Sequence, residues 1–422
     1  MSNHPTVAVI GLGFVGLPLV HLFLSGDYQV IGIDIDPAKI NMIQQKKSYI
    51  SDMQDSDLAA MMDSGRLTVT TDYEAVNQAD AIIICVPTPL RNKEPDLTYI
   101  FHAVQQMKPH LKEGQLLVLE SSTYPGTTED YVKPLIEDGH LKVGSNFYLG
   151  YSPERIDPGN KTMSIAEMPK IISGTTPACL ERLQELYNSV FVKTVPVSSP
   201  RVAEFVKMLE NSQRLINISF INEVNLLANK MDVNLWEVIE AAKTKPVGFT
   251  PYYPSAGIGG HCIPVDPFFL AWIGMREGVP LTMIHQAGLI NEMMPHFIVN
   301  RAAQIMTEKQ IPFTEAKIGV IGLTYKKDVN DIRESASLKV IELLQDRRMN
   351  VSVYDPIFRG ELPFEDVGTF SLEPDSLQSF DLVMILVDHS GMDWEHVAQY
   401  SQCIIDTRNV IPRIPGRHVI HL

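Results

Sequence analysis

A short apolar run, TVAVI over residues 6–10, passes directly into Gly-Leu-Gly-Phe-Val-Gly, and this junction constrains the chain more than any other stretch. Gly11, Gly13 and Gly16 stand in G-x-G-x-x-G spacing, after a strand-like run and ahead of a helical pattern reaching residue 24. Each glycine has a physical job there. The first permits a tight turn, the second lets backbone approach a pyrophosphate, and the third lets the helix pack close to the strand. Asp34 closes the next run, 30–33, where a carboxylate can accept ribose hydroxyls and would repel a 2′-phosphate. Strand, turn, helix and acid together predict a dinucleotide-binding unit that takes NAD in preference to NADP. A merely tight strand–helix turn is the alternative.

Further strand-like runs at 81–86, 115–120, 147–150 and 170–173 alternate with helical segments, the pattern of a parallel, doubly wound sheet. The pattern then changes. Residues 201–230 have helical periodicity without a strand, and 233–243 continue it after a break around Asp232. A Gly- and Pro-rich loop fills 245–267, and helical pattern resumes to about residue 309. From Lys317 (KIGVIGL) strands return, with a helix at 334–347 and further strands at 351–354, 382–387 and 403–406. The predicted organisation is α/β over 1–200, helical over 201–310 and built on a long helix, then α/β again over 311–422.

A chain of 422 residues is too long for one ordinary core and suits two or three domains. Its 45% hydrophobic and 20% charged residues are those of a globular protein, and no apolar run approaches the roughly 18 residues of a membrane span. The apolar N-terminal stretch lacks a basic n-region and a cleavage site, so a cytoplasmic location is expected by elimination. A net charge of −15 with no basic stripe argues against nucleic acid, though not against a small anionic ligand.

The second glycine turn differs from the first. With Gly322 aligned on Gly11, Thr324 and Lys327 stand where Gly13 and Gly16 do, which disfavours a dinucleotide. The pair Lys326 and Lys327 suits a smaller phosphate ligand; a purely structural repeat is the other reading.

Four cysteines are too sparse for a disulfide framework and lack metal-ligand spacing, so no metal is expected. Cys85, Cys179 and Cys403 lie in apolar or helical runs and read as buried small hydrophobes. Cys262 stands apart in GIGGHCIPVD, where Gly257, Gly259 and Gly260 bring backbone close to a neighbour and Asp266 follows. A thiolate there could attack an aldehyde, and the resulting thiohemiacetal could lose hydride to become a thioester. Lys207 and Asn211, at i and i+4 in EFVKMLEN, share a helix face and could stabilise an oxyanion. A solvated face is the plainer reading, kept alive by the neighbouring Glu204 and Glu210.

The segments VIGLGFVGLP, SSTYPGTT, SPERIDPGN, EFVKMLEN, GIGGHCIPVDP and GLTYKKDVNDIRES together resemble the UDP-glucose/GDP-mannose dehydrogenase family, in the family's order and across essentially the whole chain. The resemblance implies an N-terminal Rossmann domain, a central helical dimerisation domain and a C-terminal Rossmann-like α/β domain that binds the sugar nucleotide. It implies a homodimer and a four-electron oxidation of the sugar C6 alcohol by two NAD in succession. Cys262 would be the nucleophile, Lys207 and Asn211 would stabilise oxyanions, and Asp266 would help activate water or hold the lysine. Thr123 and Glu154 would bind or activate the hydrolytic water. The cofactor would rest on Gly11, Leu12, Gly13, Phe14, Val15, Gly16, Asp34 and Lys39, with Pro87, Thr88, Thr123 and Arg333 completing its site. Substrate would meet Glu154, Arg155, Lys207, Asn211, Gly257, Gly259 and Lys326. His261 reads as structural.

Two departures bear on the sugar. UDP-glucose enzymes carry a second glutamate where this chain has Pro158, and an arginine where it has Lys245-Pro246 before Val247-Gly248. SPERIDPGN and TKPVGF resemble the branch acting on UDP-N-acetylhexosamines, with UDP-N-acetylglucosamine first, then UDP-N-acetylmannosamine, UDP-N-acetylgalactosamine and UDP-glucose. Small hydroxyacid dehydrogenases, which pair similar domains, transfer one hydride and need no cysteine, are a rival reading. A non-catalytic nucleotide-sugar sensor is another. Because oxyanion charge appears only along the reaction path, Lys207→Ala is expected to lower kcat more than it raises KM. Steady-state kinetics decide this, and a pure KM effect would assign Lys207 to ground-state binding.

Overall fold

The computed structural model describes residues 5–50, 53–137, 139–155, 163–413 and 418–422, so Pro158 lies outside the described residues. The chain forms two compact units, one of Met1–Asn211 with Val265–Leu281 and the other of Ser212–Pro264 with Thr282–Leu422. Among the described residues no helix is long and apolar enough to cross a membrane.

The first unit holds β1 (Thr6–Ile10), β2 (Gln29–Ile33), β3 (Leu67–Thr70), β4 (Ala81–Ile84), β7 (Leu116–Leu119), β8 (Tyr148–Tyr151), β9 (Lys170–Gly174) and β10 (Thr194–Pro196); β5 (Leu90–Arg91) and β6 (Glu94–Pro95) make a separate hairpin. The sheet order is β10-β9-β8-β7-β4-β1-β2-β3. The runs AIII and LLVL are buried at every position, as sheets covered on both faces require. Leu17, Val20 and Phe23 of the helix Gly16–Ser25 pack into the same core as Val7 and Val9.

The expected parallel order fails at one end, where β9 pairs with β8 antiparallel. A parallel return needs a long crossover, usually a helix. Between β8 and β9 the described residues carry only the single turn Ile165–Glu167. By contrast β9 and β10 are joined through the helix Pro177–Asn188 and pair parallel. Strands β3 and β10 escaped the sequence reading: LTVT alternates apolar residues with threonine instead of forming an apolar run, and TVP has only three residues.

In the second unit β11 (Lys317–Ile321), β12 (Asn350–Tyr354), β13 (Gly368–Thr369), β14 (Leu382–Ile385), β15 (Ile404–Asp406) and β16 (Val419–His421) form a wholly parallel sheet in the order β13-β12-β11-β14-β15-β16. Both sheets change direction of growth beside their first strand, between β1 and β4 and between β11 and β14. In such sheets the crevice at the strand carboxyl ends beside this switch is the ligand site.

The long helix spans Pro200–Lys230, with proline in its first turn, where the missing amide costs nothing. It ends where Asp232 takes a left-handed conformation (φ 55°), and Asn234 caps the next helix, Leu235–Lys243, by accepting from the Glu237 amide. Within the second unit Ser219 Oγ donates to the Ala287 carbonyl at 2.8 Å, tying the long helix to the helix Thr282–Glu308.

Candidate active site

At the first glycine turn the Gly11 amide donates to the Ile33 carbonyl at 2.8 Å, so the turn folds back across the end of β2. A Cβ on Gly11 would lie 2.7 Å from the Cys85 carbonyl oxygen, and one on Gly16 would lie 1.8 Å from the Gly11 carbonyl oxygen. At Gly13 a Cβ would meet no protein atom within 4 Å. The outer two glycines are therefore required by the protein itself, while the middle one leaves open space against bare backbone, as a pyrophosphate needs. Leu12 is buried and Phe14 and Val15 half-buried around it.

Asp34, 5% exposed, accepts from the Leu12 amide (2.9 Å), the Asp36 amide (3.0 Å) and Lys39 Nζ (2.9 Å). A carboxylate has about four acceptor positions, so one is left for a ribose hydroxyl. Pro87 and Thr88 follow β4 across the switch, on a segment whose Val86 carbonyl accepts from Ser121 Oγ at 2.8 Å. These residues fit an NAD.

The second turn repeats the junction and closes the space. The Gly322 amide donates to the Tyr354 carbonyl at 2.8 Å, and Asp355 accepts from the Leu323 amide at 2.6 Å, as Asp34 does from Leu12. Buried Thr324 stands where Gly13 does, and fully buried His389 lies 3.1 Å from Asp355 and 3.4 Å from the Thr324 hydroxyl. The His389 ring and the donating amides hold the Asp355 carboxyl well below the usual range, against the opposing effect of burial. Side chains occupy the room a pyrophosphate would need. Lys326 is half-buried and Lys327 exposed beside this turn.

The cysteine loop belongs to the same unit. Its glycines approach protein: a Cβ on Gly259 would lie 2.6 Å from the Glu334 carbonyl oxygen and 2.7 Å from Tyr325 Cβ, and one on Gly257 would lie 3.0 Å from Ala336 Cβ. Asn291 clamps Ile258 from both sides, accepting from its amide at 2.6 Å and donating to its carbonyl at 3.3 Å. The Gly260 amide donates to the Arg333 carbonyl at 3.1 Å, while the Arg333 guanidinium grips Asp331 and lies 3.3 Å from His261. Cys262 is half-buried on this strapped loop; Cys179 and Cys403 are buried as expected, whereas Cys85, expected to be buried too, is half-buried just beyond β4.

The remaining candidates gather in the first unit. Lys207, 7% exposed, donates to the Glu154 carbonyl at 2.8 Å. One turn on, Asn211 Nδ2 donates to Asp266 Oδ2 at 2.7 Å. Burial raises the Asp266 carboxyl to about 6, against the opposing pull of the Lys207 ammonium and the Asn211 amide. The Thr123 hydroxyl is fully buried and, among the described residues, has no hydrogen-bond partner, although the Tyr151 phenol lies beside it. Such an orphan donor suits a bound water or ligand group. Arg155 is engaged in a two-pronged pair with Glu210 (3.1 and 2.6 Å) and donates to the Pro169 carbonyl.

Models of three domains match this chain: the NAD binding domain of the UDP-glucose/GDP-mannose dehydrogenase family at residues 5–191, its central domain at 201–293 and its UDP binding domain at 319–413. The chain belongs to this family. It is an NAD-dependent oxidoreductase of the nucleotide-sugar dehydrogenases, with the UDP-binding domain at its C-terminal end. It is 34% identical to the UDP-N-acetyl-D-mannosamine dehydrogenase of Pyrococcus horikoshii over 97% of this chain and 96% of that one. To the UDP-N-acetyl-D-glucosamine 6-dehydrogenase of Pseudomonas aeruginosa it is 33% identical over 91% of this chain and 90% of that one. The solved structure of the Pyrococcus horikoshii enzyme superposes with a TM-score of 0.88, at 32% identity, covering 99% of this chain and 98% of that chain.

In this family member the helix face that carries Lys207 is not a solvated one. Glu204 is fully buried and accepts from the Gly126 amide (2.5 Å), the Thr128 amide (2.9 Å) and the Thr128 hydroxyl (2.7 Å). Burial lifts its carboxyl to about 7 despite these donors. It fastens the SSTYPGTT segment and the π-helical turn Thr127–Val132 to the long helix. Glu120 and Lys170, both buried, also went unread, because each closes or opens a strand that looks apolar in sequence.

Asp266 supplies a test in pH. A carboxyl raised in the folded state contributes stability that is complete below its ordinary value and is lost as pH rises through about 6. Asp266→Asn removes that loss, so its melting midpoint should rise relative to the unsubstituted enzyme between pH 4 and 7, by the equivalent of about 3 kcal/mol, and stay level above. Calorimetric scans across pH check this; a midpoint difference independent of pH would show that Asp266 is not raised.

Proposed function

We propose that this enzyme oxidises the C6 primary alcohol of a UDP-N-acetylhexosamine to the carboxylate, through a thiohemiacetal and a thioester on Cys262. The observation that carries the reading is the buried cluster in which Lys207 rests on the Glu154 carbonyl and Asn211 on Asp266. NAD, when bound at the first glycine turn, accepts the hydride in each oxidation, two equivalents per turnover.

The chain's own groups do the rest. In the first oxidation the C6 hydroxyl passes its proton to a water activated by Asp266 as hydride departs, and Lys207 and Asn211 donate to the oxygen, where negative charge develops. The Cys262 thiolate then adds to the aldehyde carbon, forming a C–S bond and an alkoxide held by the same donors. Loss of the second hydride leaves the thioester. Water, bound by Thr123 and deprotonated by Glu154, attacks the thioester carbon; the C–S bond breaks and Cys262 returns as thiolate. Lys326 contacts the uridine nucleotide. Arg155, Gly257 and Gly259 shape the sugar side of the site, the two glycines through the loop they let fold. Arg333 serves the cofactor or substrate phosphates.

Within the N-acetylhexosamines we favour UDP-N-acetylglucosamine, from SPERIDPGN and TKPVGF. UDP-N-acetylmannosamine is the second reading, favoured by the Pyrococcus horikoshii relative, which is named for that substrate. The reaction is placed in the cytoplasm, in the supply of surface-polysaccharide precursors, with 1–200 serving the cofactor, 201–310 dimerisation and catalysis, and 311–422 the UDP-sugar.

A homodimer through the central domain is part of the proposal. Val202, Phe205, Leu209, Phe220 and Leu227 are exposed, Phe220 and Leu227 at about 60%, and Ile216 is half-buried. At about 100° per residue all six fall in one narrow stripe along the long helix. A two-fold axis can pair such a stripe with its own copy.

Two experiments follow. NADH release over a panel of UDP-sugars should show about two NADH per N-acetylhexosamine, with a carboxylate product by mass, and Cys262→Ser should stall at the second oxidation. One NADH per sugar with Cys262→Ser turning over normally would sink the reading in favour of single-hydride chemistry. Sedimentation should give a dimer for the unsubstituted enzyme and a monomer for Phe220→Glu with Leu227→Glu; a monomeric unsubstituted enzyme removes the dimer from the proposal.

A further inference from the structure

Among the described residues of the first unit, Lys170 is a buried cation without a part in the steps above. It opens β9, is 4% exposed, and places Nζ 2.7 Å from Glu120 Oε2 and 3.2 Å from Glu154 Oε2. Glu120 in turn accepts a hydrogen bond from the Tyr187 phenol. The ammonium also faces the rings of Tyr187 and Phe191, at 5.6 and 5.4 Å from their centroids. Glu154 is thus held at both ends. Its carboxylate takes Lys170 on one oxygen and the Arg155 amide (2.6 Å) on the other, and its carbonyl takes Lys207.

We propose that Lys170 is a positioning residue, whose ammonium keeps the Glu154 carboxylate ionised and aimed and so also sets the carbonyl on which Lys207 rests. This depends on the role of Glu154 given above. The charge balance supplies the reason. Two carboxylates, Glu120 from the end of β7 and Glu154 from the end of β8, share one buried ammonium. Two such carboxylates without it would hold a proton between them, because like charges in a dry site cannot both ionise.

Lys207 from the long helix also meets Glu154, at its carbonyl, and Tyr187 reaches it through Glu120. Cys85, just after β4, lies in the same field. Arg155 is committed to Glu210. Burial works against the Lys170 ammonium, but Glu120 and Glu154 more than offset it, pushing its pKa up to about 12. Burial also raises the Glu120 carboxyl, with Lys170 pulling it back. At neutral pH the lysine is therefore charged, and it is the element that a neutral substitute cannot replace.

The test is the pH dependence of NADH release by the purified enzyme with saturating UDP-N-acetylhexosamine and NAD, for Lys170→Met, Lys170→Arg, Lys170→Met with Glu120→Gln, and Glu154→Gln. Lys170→Met should lower kcat about tenfold at pH 7 with little change in KM, and its acid limb should move up by about one pH unit. Lys170→Arg should keep the limb in place. Removing the competing carboxylate with Glu120→Gln should return it. A uniform loss with an unmoved limb would overturn the proposal, leaving Lys170 a structural anchor. If Lys170→Met does not fold, Lys170→Gln decides in its place: a limb raised by about one pH unit supports the proposal and an unmoved one overturns it. Glu154→Gln separates the two levels. Full activity there ends the Glu154 reading and this proposal together, whereas an impaired Glu154→Gln beside an unmoved Lys170→Met limb ends this proposal alone.

Discussion

Both α/β sheets depend on one junction. The first glycine of the turn donates its amide to the last carbonyl of the neighbouring strand, Gly11 to Ile33 and Gly322 to Tyr354, and the acid beyond that strand accepts the next amide. This pins the strand–helix turn over the switch point without any side chain in the turn itself. The crevice is then whatever the third residue leaves of it. Gly13 leaves it open for a dinucleotide, while Thr324, with His389 packed behind, fills it. One backbone device thus yields a cofactor site in one sheet and a closed framework in the other.

The second constraint is the burial of charge around the long helix. Glu204, Lys207, Asp266, Lys170, Glu120 and Glu154 are all nearly or wholly removed from solvent. A buried ion is tolerated only when paired and hydrogen-bonded, and removing one partner costs far more than the pair contributes. The observed bonds meet that condition almost completely, with Glu204 satisfied by three donors and Lys170 by two carboxylates. Burial also shifts what these groups do at neutral pH. It brings Asp266 to about 6 and Glu204 to about 7, within reach of proton exchange, while Lys170 is held charged. A network that is expensive to leave half-made also fixes the positions of its members.

Several features of the site depend on distances that spacing along the chain does not carry. The glycines around Cys262 do bring backbone close to a neighbour, and that neighbour is Tyr325 and Glu334 of the turn after β11. Glu204 looked like a solvated residue beside Lys207, yet it is the acid that fastens the Thr123 segment to the helix. The parallel order of the first sheet fails at β9, since nothing in the run KIISG states its direction. Lys170 and Glu120 sit at strand ends whose apolar pattern hides the one charged residue at the border. The edge strands β10, β13 and β16 are too short for any alternation to register.

By itself the sequence determined the strand–helix alternation, the long helix to within a residue at each end, and the open and closed glycine turns. These are properties of local spacing: period, turn glycines and a charge at a fixed offset act between residues close in the chain. Only the tertiary structure decided which charged groups are buried together, which carbonyl Lys207 rests on, and that Lys170 stands between two carboxylates. Those facts depend on strands far apart in sequence meeting in one sheet, and desolvation, which sets the chemistry of each group, exists only once they have met.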